Sequence, residues 1–279
     1  MIMKELAPDT GRAQVIGLTG PPGVGKSTTA TSLVRVLRAR DERVGVLAVD
    51  PSSPFSGGAL LGDRVRMQEH AVDRDVYIRS MATRGHLGGL TAATPQALRA
   101  FDAAGFDTVI METVGVGQSE LEVAETADVV LVLLAPGMGD GIQAAKAGIL
   151  EIGDIFVVNK SDRDGAQALV RELRTMIALA DRGPADWKPP IVATVAYEHR
   201  GIDDLLDAVD RFKTFQIVTG RGQERRIARA RREVESIALA RLRAEFRVNG
   251  AAGLDDLALA VSRGELDPYA AADQVVRDR

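Results

Sequence analysis

Residues 15–28 read Val15-Ile16-Gly17-Leu18-Thr19-Gly20-Pro21-Pro22-Gly23-Val24-Gly25-Lys26-Ser27-Thr28. An apolar run at 15–19 predicts a strand. From Ser27 to Arg40, Ala30, Leu33, Val34 and Leu37 recur at the spacing of one helix face. Between them lies G-x-x-x-x-G-K-S, which in a strand–loop–helix setting is a phosphate-binding loop. Its glycines let backbone N–H groups turn inward around phosphate oxygens, and the helix N-terminus adds partial positive charge. Gly20 through Thr28 are therefore candidate nucleotide contacts. Lys26 is expected to reach the β- and γ-phosphates, and the Ser27 hydroxyl to ligate Mg²⁺. Pro21 and Pro22 stand in the loop, so the additional signature lysine of deviant Walker loops is absent.

Outward from this loop, short apolar runs at 44–49, 76–78, 108–111, 129–134, 155–158 and 191–195 alternate with helical patterns. Near-continuous apolar strands such as 129–134 belong in a parallel sheet covered on both faces. The expected fold is α/β, a doubly wound, mostly parallel sheet with a P-loop. It is preceded by a short segment, 1–14, and spans 15–220. After residue 220 the composition changes: 221–279 holds 12 Arg and 10 acids, net +2, so the first 220 residues carry −6. A long charged helix at 221–247 carries an apolar stripe (Ile227, Val234, Ile237, Ala238, Leu242, Phe246), and shorter helices follow at 254–261 and 267–276. Such an appendage buries little alone. It packs either on its own body or on a second subunit, which makes it a candidate dimerisation arm.

A second motif ends the run at 155–158: Asn159-Lys160-Ser161-Asp162. N-K-x-D after a strand, downstream of a P-loop, reads guanine. The Asp162 carboxylate accepts from guanine N1–H and the 2-amino group, whereas adenine presents a lone pair at N1 and leaves it unpaired. The Lys160 stem suits the base face, and Asn159 suits a tie to the P-loop. Thr194, Val195 and Ala196 follow the next strand, where a backbone N–H usually reaches guanine O6. Ala196 is the expected donor.

Three acids fall at loop positions near strand ends: Asp50, Asp63 and Glu112. Mg²⁺ takes hard oxygen ligands, and acids at the carboxyl ends of parallel strands converge on the ligand crevice. Each is also an ordinary solvated turn residue when taken alone. Glu112-x-x-Gly115 stands where common GTPases have Asp-x-x-Gly, and Gly115 and Gly117 suit a backbone N–H contact with a γ-phosphate. Gln118 is a weaker candidate for orienting water. Lys26, Asp50 and Glu112 are the candidates for the reaction itself. His70, His86 and His199 show no metal-ligand spacing, and loop or surface roles are expected for them.

Composition narrows the class. The chain has 279 residues, 46% hydrophobic and 27% charged, so it is neither disordered nor fibrous. Without cysteine it has no disulfide, Cys–zinc, iron–sulfur or thiol chemistry. This fits a cytoplasmic protein. No run of about 18 apolar residues predicts a membrane span. The net charge of −4 disfavours a nucleic-acid coat. Only six of 35 basic residues are lysine, and Lys26, Lys146 and Lys160 are three of them.

Read in order, G-P-P-G-V-G-K-S-T, V-D-P-S-S-P, G-A-L-L-G-D-R-V-R-M, A-T-R-G-H-L-G-G-L, M-E-T-V-G-V-G-Q-S-E, A-P-G-M-G-D-G-I-Q-A-A-K-A-G-I-L-E-I-G-D and V-V-N-K-S-D resemble the MeaB/ArgK-type G-protein chaperones of adenosylcobalamin-dependent acyl-CoA mutases. The resemblance covers roughly 15–215. It implies a homodimeric, SIMIBI-class GTPase that uses GTP and Mg²⁺ and gates adenosylcobalamin loading into, or rescue of, a partner mutase. It places Asp50, Asp63 and Glu112 among magnesium-linked acids. It places Gln143 and Lys146, within 137–150, in a segment coupling nucleotide state to the mutase. Only 14 residues precede Val15, fewer than the helical extension this family usually carries. The Tyr-Glu-His-Arg run after Ala196 also departs from the family pattern. Arg84, in Ala-Thr-Arg-Gly, is a weak arginine-finger candidate. A nickel-inserting GTPase, which would need His- or Cys-rich carriers, and an accessory kinase of an amino-acid transport system are the alternatives.

Overall fold

In this computed structural model, seven strands form one sheet, all parallel, in the order β3-β2-β4-β1-β5-β6-β7. The residues it describes are 2–50, 70, 72–82, 93–113, 119–137, 149–179, 183, 185–249 and 254–277. The strands are β1 Gln14–Thr19, β2 Val44–Asp50, β3 Val76–Ala82, β4 Thr108–Thr113, β5 Val129–Leu134, β6 Ile155–Val158 and β7 Ile191–Ala193. After a short α1, Ile2–Leu6, the helices of the sheet region are α2 Lys26–Ala39, α3 Ala93–Ala103, α4 Ser119–Thr126, α5 Ile149–Ile152, α6 Ala166–Leu179 and α7 Ile202–Thr219.

The winding follows from pattern. β4, β5 and β6 are buried at every residue, which requires cover on both faces. One face packs Leu33, Val34 and Leu37 of α2 and Leu205, Val209 and Phe212 of α7 against Ile16, Leu18, Ile110 and Leu131. The other face packs Leu98 and Phe101 of α3, Val123 of α4, and Leu169 and Leu173 of α6 against Val109, Met111, Val130 and Val132. Each fully buried Leu or Val stabilises by about 1.5–3 kcal/mol, so the stripe of α2 alone anchors it firmly. β1 lies between β4 and β5, where the connections change direction along the sheet. The crevice outside its carboxyl end is where such folds bind ligands.

Three strand bounds differ from the sequence pattern by two residues or more. β3 runs four residues past Ile78 because pairing with β2 carries polar Arg79 and Ser80 along. β4 includes Glu112 and Thr113, which pair with Ala48 and Val49, so Glu112 belongs to the strand instead of following it. β7 stops at Ala193: Val195 leaves the sheet to exchange backbone bonds with Arg200, at 3.1 and 3.3 Å.

The chain divides into two compact units, Met1–Arg226 and Ile227–Arg279. The division falls inside α8, Arg221–Asn249, and not at Gly220, where α7 ends. The reason is electrostatic: Arg221 pairs with Asp186 at 2.5 Å, and Arg225 holds Asp154 at 2.9 and 3.0 Å, so the first turns of α8 belong to the first unit. Asp154 is deeply buried, and burial pushes its carboxyl up while Arg225 opposes the shift. The second unit holds the rest of α8 with α9, Leu254–Ser262, and α10, Pro268–Arg277. Ile227, Val234, Ile237 and Leu242 are exposed along α8. Among the described residues no helix is long and apolar enough to cross a membrane.

Candidate nucleotide site

Every described motif residue sits at the carboxyl edge of the sheet. The loop after β1 turns through Gly20, Gly23 and Gly25, all at positive φ (133°, 79° and 97°). Two of these glycines answer a steric demand. A Cβ on Gly20 would run into the Leu133 carbonyl, and one on Gly25 into the side-chain amide of Asn159. Gly25 then starts α2 from the left-handed region, so the first N–H groups of that helix face the loop.

Lys26 is buried, and its Nζ donates to the carbonyls of Gly20 at 2.7 Å and Pro21 at 3.0 Å. The ammonium thus braces the loop from within, at the place where the motif presents it to phosphate. Ser27, on the first turn of α2, donates from Oγ to Glu112 Oε1 at 2.6 Å. Glu112 is buried in β4, in register with Leu18 of β1 and Ala48 of β2. A hydroxyl and a buried carboxylate sharing one hydrogen bond are two hard oxygen donors side by side, which suits Mg²⁺. Thr28 is exposed on the following position.

The N-K-x-D loop is bonded directly to the phosphate loop. Asn159 Nδ2 donates to Val24 O at 2.8 Å, and Lys160 Nζ donates to Gly23 O at 2.7 Å. Asn159 is buried, and its Oδ1 accepts from Thr194 Oγ1 and from the Ala196 N–H, both at 3.1 Å. Lys160 takes a left-handed φ of 55°, which turns the chain so that exposed Asp162 follows outside the sheet edge. Ser161 N–H donates to Thr194 O at 3.0 Å, stitching this loop to the one after β7.

The loop after β7 differs from its sequence reading. Thr194 and Val195 are buried and hold the loops together, with no side-chain surface offered to a ligand. The Ala196 N–H, the expected donor to guanine O6, is directed at Asn159. Four further residues enter here, Tyr197, Glu198, Ser32 and His199, all missed by motif reading. Tyr197 OH donates to Asp162 Oδ2 at 3.4 Å, and Glu198, then Asp162, hold the Tyr197 phenol above its ordinary range. Ser32 Oγ donates to Ala196 O at 2.6 Å, and His199 Nδ1 lies 3.0 Å from that same Oγ. The one sequence signal for Tyr197, Glu198 and His199 is the unusual Tyr-Glu-His-Arg run, and Ser32 has none.

Asp63, Gly115, Gly117, Gln118, Gln143, Lys146, Arg84 and His86 lie outside the described residues. Asp50 ends β2 opposite Ala82, and its side chain lies outside them too. Of the three candidate metal acids, the described structure brings Glu112 to Ser27.

The family model described as methylmalonyl-CoA mutase-associated GTPase MeaB matches residues 1–251. A Pyrococcus horikoshii relative, which carries a provisional GTPase name, is 46% identical over 278 residues, covering 99% of this chain and 87% of its own. GTPase ArgK of Escherichia coli is 38% identical over 226 residues, covering 80% of this chain and 68% of its own. The mouse mitochondrial methylmalonic aciduria type A homolog is 40% identical over 208 residues, or 74% of this chain and half of its own. The crystal structure of an LAO/AO transport system kinase superposes with a TM-score of 0.69 at 28% identity, over 99% of this chain and 84% of that one. HypB from Helicobacter pylori, in complex with nickel, shares the fold at 14% identity and a TM-score of 0.52, over 80% of this chain and 92% of its own. A phosphate loop bonded to a guanine-type loop, in a chain matched by that family model over most of its length, makes this protein a P-loop GTPase of the MeaB family.

Proposed function

We propose that this GTPase is the nucleotide-driven chaperone of an adenosylcobalamin-dependent acyl-CoA mutase. The family description, with its mutase association, and the mouse relative support that reading. The observation that carries the nucleotide half is the pair of bonds from Asn159 to Val24 and from Lys160 to Gly23, which ties base recognition to phosphate recognition.

In this reading, Asp162 accepts from the guanine N1–H and 2-amino group. Asn159 and Lys160 hold that loop on the P-loop, with Thr194, Val195 and Ala196 behind them. Gly20, Pro21, Pro22, Gly23, Val24, Gly25 and Thr28 shape the phosphate cradle. Lys26 swings its ammonium from the Gly20 and Pro21 carbonyls to the β- and γ-phosphates. Ser27 and Glu112 would hold Mg²⁺, with Asp50 and Asp63 as the further candidate acids. When bound, that ion supplies charge neutralisation at the phosphates. Water attacks the γ-phosphorus in line as the bond to the β–γ bridging oxygen breaks, so GDP leaves and the water's proton ends on the released phosphate, with Gly115 as the candidate backbone N–H donor to that phosphate. Catalysis is positioning plus charge stabilisation, so turnover without a partner is slow. Gln143 and Lys146 carry the nucleotide state to the mutase, and the C-terminal arm joins two copies. Adenosylcobalamin enters through the partner, and the protein works in the cytoplasm.

The test is GTP and ATP turnover with and without a purified methylmalonyl-CoA mutase. GTP is expected to be preferred, and the mutase to change the rate. Preference for ATP, or transfer of the γ-phosphate to a transport protein, would support the kinase alternative, to which the superposed transport-system kinase lends its name. The chain's lack of cysteine and its three histidines give a nickel carrier little to bind with.

A further inference from the structure

We infer that His199 is a positioning residue for guanine, acting through Ser32 to lock the turn after β7 onto the phosphate-loop helix. This role rests on the reading that Asp162 binds guanine.

Ser32 is buried on α2, and its hydroxyl has a single hydrogen. That hydrogen goes to Ala196 O, at 2.6 Å. Towards His199 Nδ1, 3.0 Å away, Ser32 Oγ must then accept, so Nδ1 carries a proton and donates. His199 also gives its backbone N–H to Ala196 O at 3.1 Å. Ala196 O therefore accepts twice, from Ser32 and from the His199 backbone, while the Ala196 N–H serves Asn159 at 3.1 Å. Asn159 in turn reaches Val24. The result is a continuous path from the P-loop helix through the Ala196–Glu198 turn to the N-K-x-D loop and back to the P-loop.

Histidine fits this position in two ways. Its φ is 58°, a left-handed conformation that Asn, Asp and His tolerate better than most side chains. Its Nδ1 sits close enough to the backbone to reach Ser32 from that conformation. The turn it closes carries Tyr197, whose hydroxyl meets Asp162. A turn that rocks would move both the support of Asn159 and the neighbour of Asp162. The phosphate loop, braced separately by Lys26 and the glycines, would keep its shape.

Three variants separate this role from general destabilisation. His199→Gly keeps the left-handed backbone and removes the donor. His199→Asn keeps the backbone and places an amide N–H near Nδ1. Ser32→Ala removes the acceptor. Dissociation constants for GDP, ADP and pyrophosphate are measured by titration calorimetry, with KM and kcat for GTP. Loss of one part-buried hydrogen bond predicts about a tenfold weaker GDP affinity for His199→Gly, with a matching rise in KM and kcat held. Pyrophosphate affinity stays within about twofold, His199→Asn restores GDP binding, and adding His199→Gly to Ser32→Ala costs nothing further. Unchanged GDP affinity in His199→Gly overturns the inference. So does an equal loss for pyrophosphate, or failure of His199→Asn to recover. If the unmodified protein does not favour GDP over ADP, the guanine reading itself fails, which is a separate result.

Discussion

The Ser27 hydroxyl donates to Glu112 Oε1 across 2.6 Å, joining the first turn of α2 to the buried end of β4. Replacing Glu112 by Gln keeps the shape and removes the charge. Metal-site partners of this kind are worth roughly 10- to 100-fold in affinity or activity, and Glu112→Gln is expected to lose that much Mg²⁺-dependent GTP turnover. Magnesium titrations of single-turnover hydrolysis check it. GDP affinity measured in EDTA should change little.

Asp162 is exposed and faces outward from the sheet edge, where a carboxylate selects guanine by accepting two hydrogen bonds. Charged hydrogen bonds contribute about 1.5–3 kcal/mol, so Asp162→Asn should weaken GDP binding roughly 10- to 100-fold. Xanthosine diphosphate, whose ring presents an acceptor at that edge, should bind the variant better than the parent. Competition titrations with both nucleotides decide it.

Gly25 combines a φ of 97° with contact against the Asn159 side chain. Gly25→Ala adds a strained left-handed residue and a collision at the join between the two loops. An affinity loss of about tenfold or more for GTP and GDP is expected, together with a lower melting temperature. Calorimetric titration and thermal unfolding measure the two effects.

Arg225→Ala leaves the buried Asp154 carboxylate without its guanidinium. Breaking a fully buried pair costs about 3–5 kcal/mol, and the partial exposure of Arg225 brings the expectation to about 2–3 kcal/mol. The folded-state value of Asp154 already lies above its ordinary one because of burial. The folded state therefore holds that proton more tightly than the unfolded chain. This group's contribution is greatest at acid pH and is lost as pH rises through the folded value. Removing Arg225 raises that value further, so urea unfolding should show the variant's deficit shrinking on acidification.

Along α8, Ile227, Val234 and Ile237 leave an apolar stripe exposed. If that stripe joins two copies, Val234→Asp with Ile237→Glu should shift sedimentation from dimer to monomer. GTP turnover in the absence of partner should remain. A parent protein already monomeric at tens of micromolar would count against the dimer.

Much of the first unit is legible in the chain alone because its signals are local. A buried parallel strand such as β5 reads as an unbroken apolar run. The stripe of α2 reads as a 3.6-residue period, and the P-loop glycines read as turns that side chains resist. The strand ends are less legible. Polar Glu112 and Thr113 join β4 only because Ala48 and Val49 stand ready to pair with them, and Val195 lies beyond β7, bridged to Arg200.

The chain alone dictates the kinds of chemistry present: a phosphate loop, a guanine-type tetrapeptide and acids at strand ends, each defined by residues within a few positions of one another. Which of them meet is settled by folding. Ser27 lies 85 residues from Glu112, Asn159 lies 135 from Val24, and His199 lies 167 from Ser32. A histidine without metal spacing looks incidental in the chain. It meets Ser32 because α2 and the turn after β7 share one face of the sheet, where a single serine hydroxyl has only one proton to give.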